Sequence, residues 1–415
     1  MKVIVLGAGV VGVSTAYFLA SRGHDVEVIE RQSQSGCETS FANGGQLSFS
    51  HAEPWANPSV LPKLIKWAFK DDAPLVLRPR ADLDMLTWGL KFLANCTESN
   101  AKKNSASLLR LGIYSKKKLE WVRSYSGIQF DNRREGILHI FSAQKEWEHA
   151  IEQAKFQDKF GCPAEVADYD NCVRLEPALG NAGKKIIGGI FQSLDESGDA
   201  FAYTGELAKV CTKEYNVQFH YDTAITKINQ KNGNVTSILT DKGEFTADAY
   251  VMSLGSYSPI YLKPLGIKLP IYPMKGYSVT FKAGHYAPNM SLTDGEHKLV
   301  YSRLGDRLRV AGTAEFAGYN QEVRQKRIAP IVRSIKELFP KCEFDAPESE
   351  WACLRPSTPD GPPIIGKTKY SNLYLNTGHG TLGWTQAAGS AALIADIIEN
   401  RPTEISMNGL TMERY

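Results

Sequence analysis

The chain has 415 residues, 43% of them hydrophobic, with 48 basic and 45 acidic side chains and a formal net charge of +3. That length and apolar content support a large core and two domains rather than one, while the near balance of charge excludes the strong field that a nucleic-acid partner would need. The seven cysteines, Cys37, Cys96, Cys162, Cys172, Cys211, Cys342 and Cys353, include no Cys-x-x-Cys pair and are odd in number, which argues against structural zinc or a disulfide framework and for a reducing compartment.

Residues 2–6, KVIVL, form a short β-branched run that suits a buried parallel strand. The run breaks at once into glycines, unlike the longer apolar core of a signal peptide, and no later segment is apolar enough to span a membrane. A cytoplasmic location is therefore expected. The turn Gly7, Ala8, Gly9, Val10, Val11, Gly12 leads into a helical pattern, STAYFLASRG, and then into HDVEVIE, which alternates as a second strand. This is a complete βαβ dinucleotide-binding unit. Gly7 permits the tight turn, Gly9 lets backbone N–H groups approach a pyrophosphate, and Gly12 lets helix and strand pack closely. Glu30, at the end of the second strand and followed by Arg31, is placed to accept hydrogen bonds from ribose hydroxyls. An acid there argues against a 2′-phosphate but leaves NAD and FAD both open.

Three later stretches select FAD. The loop ETSFANGGQLS, residues 38–48, offers Thr39, Ser40, Asn43, Gly44, Gly45, Gln46 and Leu47, small and polar enough to meet a second phosphate and to lie against a ring system. DAYVMSLGSYS, residues 248–258, reads as a strand that ends in Ser253 and Gly255, at the carboxyl edge where a cofactor lies. NTGHGTLGW, residues 376–384, is a second glycine turn before a helix: Gly378, His379, Gly380, Thr381, Leu382 and Gly383. No ribose-binding acid follows it. A helix N-terminus there suits a different anionic target, the N1–C2=O edge of a reduced flavin, so the two turns would touch opposite ends of one FAD. His379 reads as an anchoring or stacking residue, with acid–base work the alternative.

In this order the stretches resemble the D-amino-acid oxidase superfamily of FAD enzymes, across nearly the whole chain. WACLRPSTPDGPPIIG, residues 351–366, looks like that family's Leu-Arg-Pro signature, and PWANPSVLPKLIKWAFKDDAPLVLRPR, residues 54–80, is similar to a segment of the bacterial D-amino-acid dehydrogenases of the small-subunit type. The resemblance implies an α/β fold with an α+β second domain. A Rossmann-like FAD-binding domain would comprise 1–53, 196–262 and 346–415. A substrate domain, 54–195 and 263–345, would roof the flavin with a mostly antiparallel sheet. Residues 135–143, 271–283, 285–294 and 298–313 read as its strands and hairpins, and 324–340 as an amphipathic helix.

The resemblance also assigns roles. Arg355, in the otherwise uncharged run ACLRPSTP, matches the arginine that holds the substrate carboxylate, and a guanidinium fork suits that partner. The alternative is an ion pair with Asp360. Tyrosines of the roof assist in the family, with Tyr301 the best match and Tyr272 and Tyr277 further candidates. Lys275-Gly276 looks like a family pattern that places a strand near the flavin. The implied reaction is oxidative deamination of a D-amino acid: hydride leaves the α-carbon for flavin N5, and the imino acid hydrolyses to a 2-oxo acid and ammonia. FAD would be bound without a covalent link, Cys353 acting only as a small buried residue, and no metal would be required. Electrons would pass to a quinone-type respiratory acceptor. The aromatic and basic residues of 54–93, including Trp55, Leu61, Leu64, Ile65, Trp67, Phe69, Trp88 and Phe92, suggest docking on the cytoplasmic face of the inner membrane. Rival readings are an oxygen-using glycine, sarcosine or D-amino-acid oxidase, a D-proline or hydroxyproline dehydrogenase, a non-catalytic flavin subunit and an NAD enzyme.

Overall fold

A computed structural model describes residues 1–50, 53–62, 73–78, 80–342 and 344–415. Among them, two sheets decide where a site can form. The first runs Ile364–Lys367, Leu373–Thr377, Ala249–Met252, Lys2–Leu6, Asp25–Ile29 and Gln218–His220, and every pairing is parallel except the first. The run KVIVL is apolar throughout because both of its faces are covered. Val3 and Val5 pack on the helices Val10–Ala20, Ala200–Tyr215 and Gly383–Ile398, while Ile4 and Leu6 pack on the three-stranded sheet formed by Ile225–Lys231, Asn234–Thr240 and Gly243–Phe245.

The second sheet has nine strands among the described residues and is mostly antiparallel. Its edge strand Ser349–Ser357 pairs with Tyr272–Lys282, followed by Arg307–Phe316, Leu299–Leu304, Ser291–Asp294, Ile137–Phe141, Gly188–Gln192 and Glu165–Asp168, with Leu75–Leu77 alongside Arg307–Phe316. The helix Gln325–Leu338 lies on this sheet. Its Ile328, Ile331, Ile335 and Leu338, spaced by helical turns, are buried against Val279, Phe281, Tyr301 and Val310.

The expected strands at 271–283 and 298–313 form, and the helix expected at 324–340 spans Gln325–Leu338. The segment 285–294 is strand only over Ser291–Asp294. Ser349–Ser357, which falls within the segment assigned to the cofactor domain, belongs to the large sheet, and the chain crosses from it directly to Ile364–Lys367 of the parallel sheet. The stretch WACLRPSTPDGPPIIG thus joins the two layers, and Arg355 stands at the junction.

Candidate active site

A cavity of about 370 Å³ lies between the sheets and is lined by both glycine turns. At the first turn, Gly7 has φ +101, a conformation that L side chains rarely adopt, and a Cβ at Gly12 would stand 1.9 Å from Gly7 O. Beside Gly9 the space is open apart from Ser40 Oγ at 3.7 Å. Ser40 Oγ accepts from Val10 N at 3.0 Å and so caps the helix start. Glu30 Oε2 accepts from Ala8 N at 2.7 Å and Oε1 from Gln32 N at 2.9 Å. Burial raises the Glu30 carboxyl pKa, and those two N–H groups pull it back. Glu30 therefore ties the turn to the second strand and keeps lone pairs for ribose hydroxyls.

Gly7, Gly9, Val10, Val11, Glu30 and Arg31 line the cavity at this end, and Thr39, Ser40, Asn43, Gly44, Gly45 and Gln46 line it along the loop. Ser253, Gly255, His379, Gly380, Thr381, Leu382, Gly383 and Arg355 line the other parts. The helix Gly383–Ile398 starts there with no side chain capping it, so its dipole faces the cavity. Ala8, Gly12, Leu47 and Gly378 do not line it.

These walls suit a dinucleotide, because lining residues carry buried polar atoms that no group among the described residues meets. Ser253 Oγ, Thr313 Oγ1, Asn376 Oδ1 and His379 Nε2 are buried without a hydrogen-bond partner among the described residues, and all four residues line the cavity. Such orphans are costly unless a ligand satisfies them. His379 is 3% exposed, and burial depresses its pKa to about 3. The imidazole is therefore neutral near pH 7, suited to a hydrogen bond or a stack and not to acid catalysis.

Arg355 reaches the cavity from the edge strand. Its guanidinium lies over Gly276 of the neighbouring strand, and Nη1 donates to Thr313 O at 3.0 Å. Among the described residues no carboxylate pairs with it. Asp360 is held instead by Arg414, Nε to Oδ2, at 2.6 Å, which removes the competing ion pair. Burial lowers the Arg355 pKa, the mark of a deep cation that lacks an anionic partner.

Two of the three candidate tyrosines stand elsewhere. Tyr301 is fully buried in the core, its hydroxyl 3.0 Å from Ser334 Oγ on the covering helix. Tyr272 donates to Asp82 Oδ2 at 2.8 Å and packs by Trp88 and Phe316. Neither lines the cavity. Strand alternation explains Tyr301, which is one residue out of phase with Val300 of the lining and so faces the opposite side of the sheet, whereas Tyr272 shares the face of Gly276 but lies four residues further along the strand, under Trp88 and Phe316. Tyr277 lines the cavity, but its hydroxyl donates to Glu315 Oε2 at 2.5 Å. Lys275 is buried and donates to Asn320 Oδ1 at 3.0 Å, away from the cavity. Cys353 lines the cavity as a thiol whose pKa burial pushes up to about 11. Thr313 was not singled out in the sequence, which carries no local signal for it.

Away from the cavity, Asp294, Glu296 and His297 cluster, but Lys184 Nζ already sits 2.5 Å from Asp294 Oδ2. Of the aromatic and basic stretch, Leu64, Ile65, Trp67, Phe69, Lys63, Lys66 and Lys70 lie outside the described residues. Trp88 and Phe92 point inward, and Trp88 Nε1 donates to Ser357 O at 2.8 Å. The same helix, Leu83–Asn95, turns Leu83, Leu86, Leu90 and Leu93 outward at 80%, 59%, 61% and 50% exposure. No helix among the described residues is long and apolar enough to cross a membrane.

A family model described as FAD dependent oxidoreductase matches residues 2–397. The chain is 47% identical over 411 residues to a D-amino acid dehydrogenase of Dechloromonas aromatica, covering 97% of this chain and 98% of that one. It is 46% identical over 419 residues to a D-amino acid dehydrogenase of Paramagnetospirillum magneticum, covering 100% and 99%. Among solved structures, glycine oxidase from Geobacillus kaustophilus superposes with a TM-score of 0.78 at 19% identity, covering 100% and 99% of the chains, a likeness of fold.

Proposed function

The chain belongs to the FAD dependent oxidoreductase family, with FAD as its cofactor, and from that premise we propose that it oxidises D-amino acids to 2-oxo acids and ammonia. The observation that carries this reading is Arg355: a deep guanidinium with no carboxylate partner among the described residues, open to the cavity that both glycine turns line. It calls for a small anionic ligand, and an amino-acid carboxylate matches its fork. The stereochemistry and substrate class come from the relatives named D-amino acid dehydrogenase.

The chain's own work is binding and orientation. The first glycine turn, Glu30 and the 38–48 loop would hold the dinucleotide, and the uncapped N-terminus of Gly383–Ile398 would favour negative charge in the cavity. Arg355 fixes the substrate carboxylate and so limits where the α-hydrogen can point, which converts binding energy into orientation. FAD supplies the two-electron oxidant when bound. The substrate loses the α-hydrogen as hydride and an N–H proton, and water then hydrolyses the imino acid. No protein acid is required, in keeping with the neutral His379.

For the acceptor, we propose a membrane quinone reached by peripheral docking. Support comes from the ridge of Leu83, Leu86, Leu90 and Leu93, whose helix packs its other face against Tyr272, Met274, Ala314 and Phe316 and reaches the strand that bears Arg355 by the Trp88–Ser357 hydrogen bond. Two measurements test the reading. Anaerobic D-alanine or D-proline should bleach the holoenzyme's visible absorbance while the L-enantiomers do not; bleaching by neither defeats the substrate assignment. Turnover should reduce a soluble quinone faster than oxygen, and Leu86→Glu with Leu90→Glu should abolish sedimentation with anionic vesicles. Rapid peroxide formation would point to an oxidase instead.

A further inference from the structure

The strand Arg307–Phe316 is irregular where it passes Arg355. Tyr277 pairs with Gly312 and Lys275 with Glu315, so Thr313 and Ala314 together face Gly276. This is a β-bulge, a device that re-aims side chains and carbonyls. Thr313 adopts φ +53, a left-handed conformation that is costly for a β-branched residue. Two consequences follow from that geometry. The Thr313 carbonyl accepts from Arg355 Nη1 at 3.0 Å. The Thr313 side chain, 7% exposed, lines the cavity with Oγ1 buried and unpartnered.

Strain and an unmet hydroxyl at one residue call for a ligand. The chemistry of that ligand is set by the neighbour. An ammonium beside Thr313 would be repelled by the guanidinium, whereas an anion satisfies both groups. A carboxylate has about four lone-pair sites, enough for a guanidinium fork and a hydroxyl together. We propose that Thr313 is a carboxylate-binding and positioning residue: its strained carbonyl fixes one edge of the Arg355 guanidinium, and its hydroxyl donates a further hydrogen bond to the substrate carboxylate. The proposal rests on the reading of Arg355 as the carboxylate clamp.

The test uses the holoenzyme and four variants, Thr313→Val, Thr313→Gly, Thr313→Ser and Arg355→Met. Propionate is the probe, titrated by its perturbation of the visible absorbance, and D-alanine kinetics follow. Thr313→Gly removes the hydroxyl while relieving the left-handed strain, so it folds even if Thr313→Val does not. Val and Gly should weaken propionate binding and raise the KM for D-alanine roughly tenfold or more, the scale of a hydrogen bond to a charged group. Ser should stay within about threefold of the unsubstituted protein, since its hydroxyl survives. Retention of propionate affinity by Val and Gly overturns the proposal, as does an equal loss in Ser or an effect confined to FAD retention. If Arg355→Met abolishes propionate binding while the Thr313 variants keep it, only the Thr313 role fails. If Arg355→Met also binds propionate normally, the clamp reading fails with it.

Discussion

Arg355 lies where a side chain at Gly276 would have to be: a Cβ on Gly276 would stand 2.3 Å from Arg355 Cζ and 2.4 Å from Nη2. The two strands are paired there, Gly276 opposite Cys353 and Met274 opposite Arg355. The glycine is thus the floor on which the guanidinium rests. Gly276→Ala should swing the guanidinium off its position with the sheet intact. A far-ultraviolet spectrum close to that of the parent, with kcat/KM for D-alanine reduced roughly 10- to 100-fold, is the expected result, since a small misplacement at a reacting centre costs on that order.

Arg355→Lys keeps the charge but loses the fork. Loss of a buried charged hydrogen-bonding partner costs about 2–5 kcal/mol, so kcat/KM should fall at least about 30-fold. Arg355→Met should be inactive and also melt higher than its parent, because an unpaired deep cation destabilises the fold that contains it. Calorimetry with steady-state kinetics checks both halves; a lower Tm for Arg355→Met would mean the cation is compensated within the protein.

Cys353 is held as a thiol, its pKa raised by burial to about 11, and thiolate is the reactive form. Acid precipitation should therefore leave a colourless pellet and a yellow supernatant. Cys353→Ala should keep its FAD. A pellet that stays yellow would establish a covalent link.

Tyr301→Phe should leave kcat and KM within about twofold, as its hydroxyl bonds Ser334 and not the cavity. The cost should appear in stability, about 1 kcal/mol in a denaturant titration. A selective loss of kcat would return Tyr301 to the site.

Asp195 is fully buried, and desolvation raises its pKa to about 7, opposed by hydrogen bonds from Ser50. Its folded pKa lies above the unfolded value of about 3.9, so folding takes up a proton between them. Its contribution to stability is fully present below about pH 4 and lost as pH rises through about 7. The Tm of Asp195→Asn relative to its parent should rise across that window and level off above it. A difference that stays flat from pH 4 to 8 would show that Asp195 is ionised throughout.

Local sequence carried much of the architecture. KVIVL, the spacing of Gly7, Gly9 and Gly12, and Glu30 specify strand, turn and helix within a single βαβ unit, because period, turn conformation and helix start are local properties. The helix at 325–338 was legible for the same reason, its apolar residues recurring at helical spacing. That Asp360 is taken by Arg414, leaving Arg355 free of it, involves residues far apart in the chain and could not be read locally. Tyr301 was misplaced because period-2 alternation says that neighbours face opposite ways without saying which face meets the cavity, and Tyr272 because the place along the strand where Trp88 covers that face is set by tertiary packing. Thr313 was invisible because a bulge is a mismatch between two strands, and neither strand carries it alone. The sequence by itself determined the first glycine turn with its strand, helix and Glu30, whose hydrogen bonds span no more than about thirty residues of chain. Only the tertiary structure decided what stands around Arg355, since register and packing between distant strands choose its neighbours.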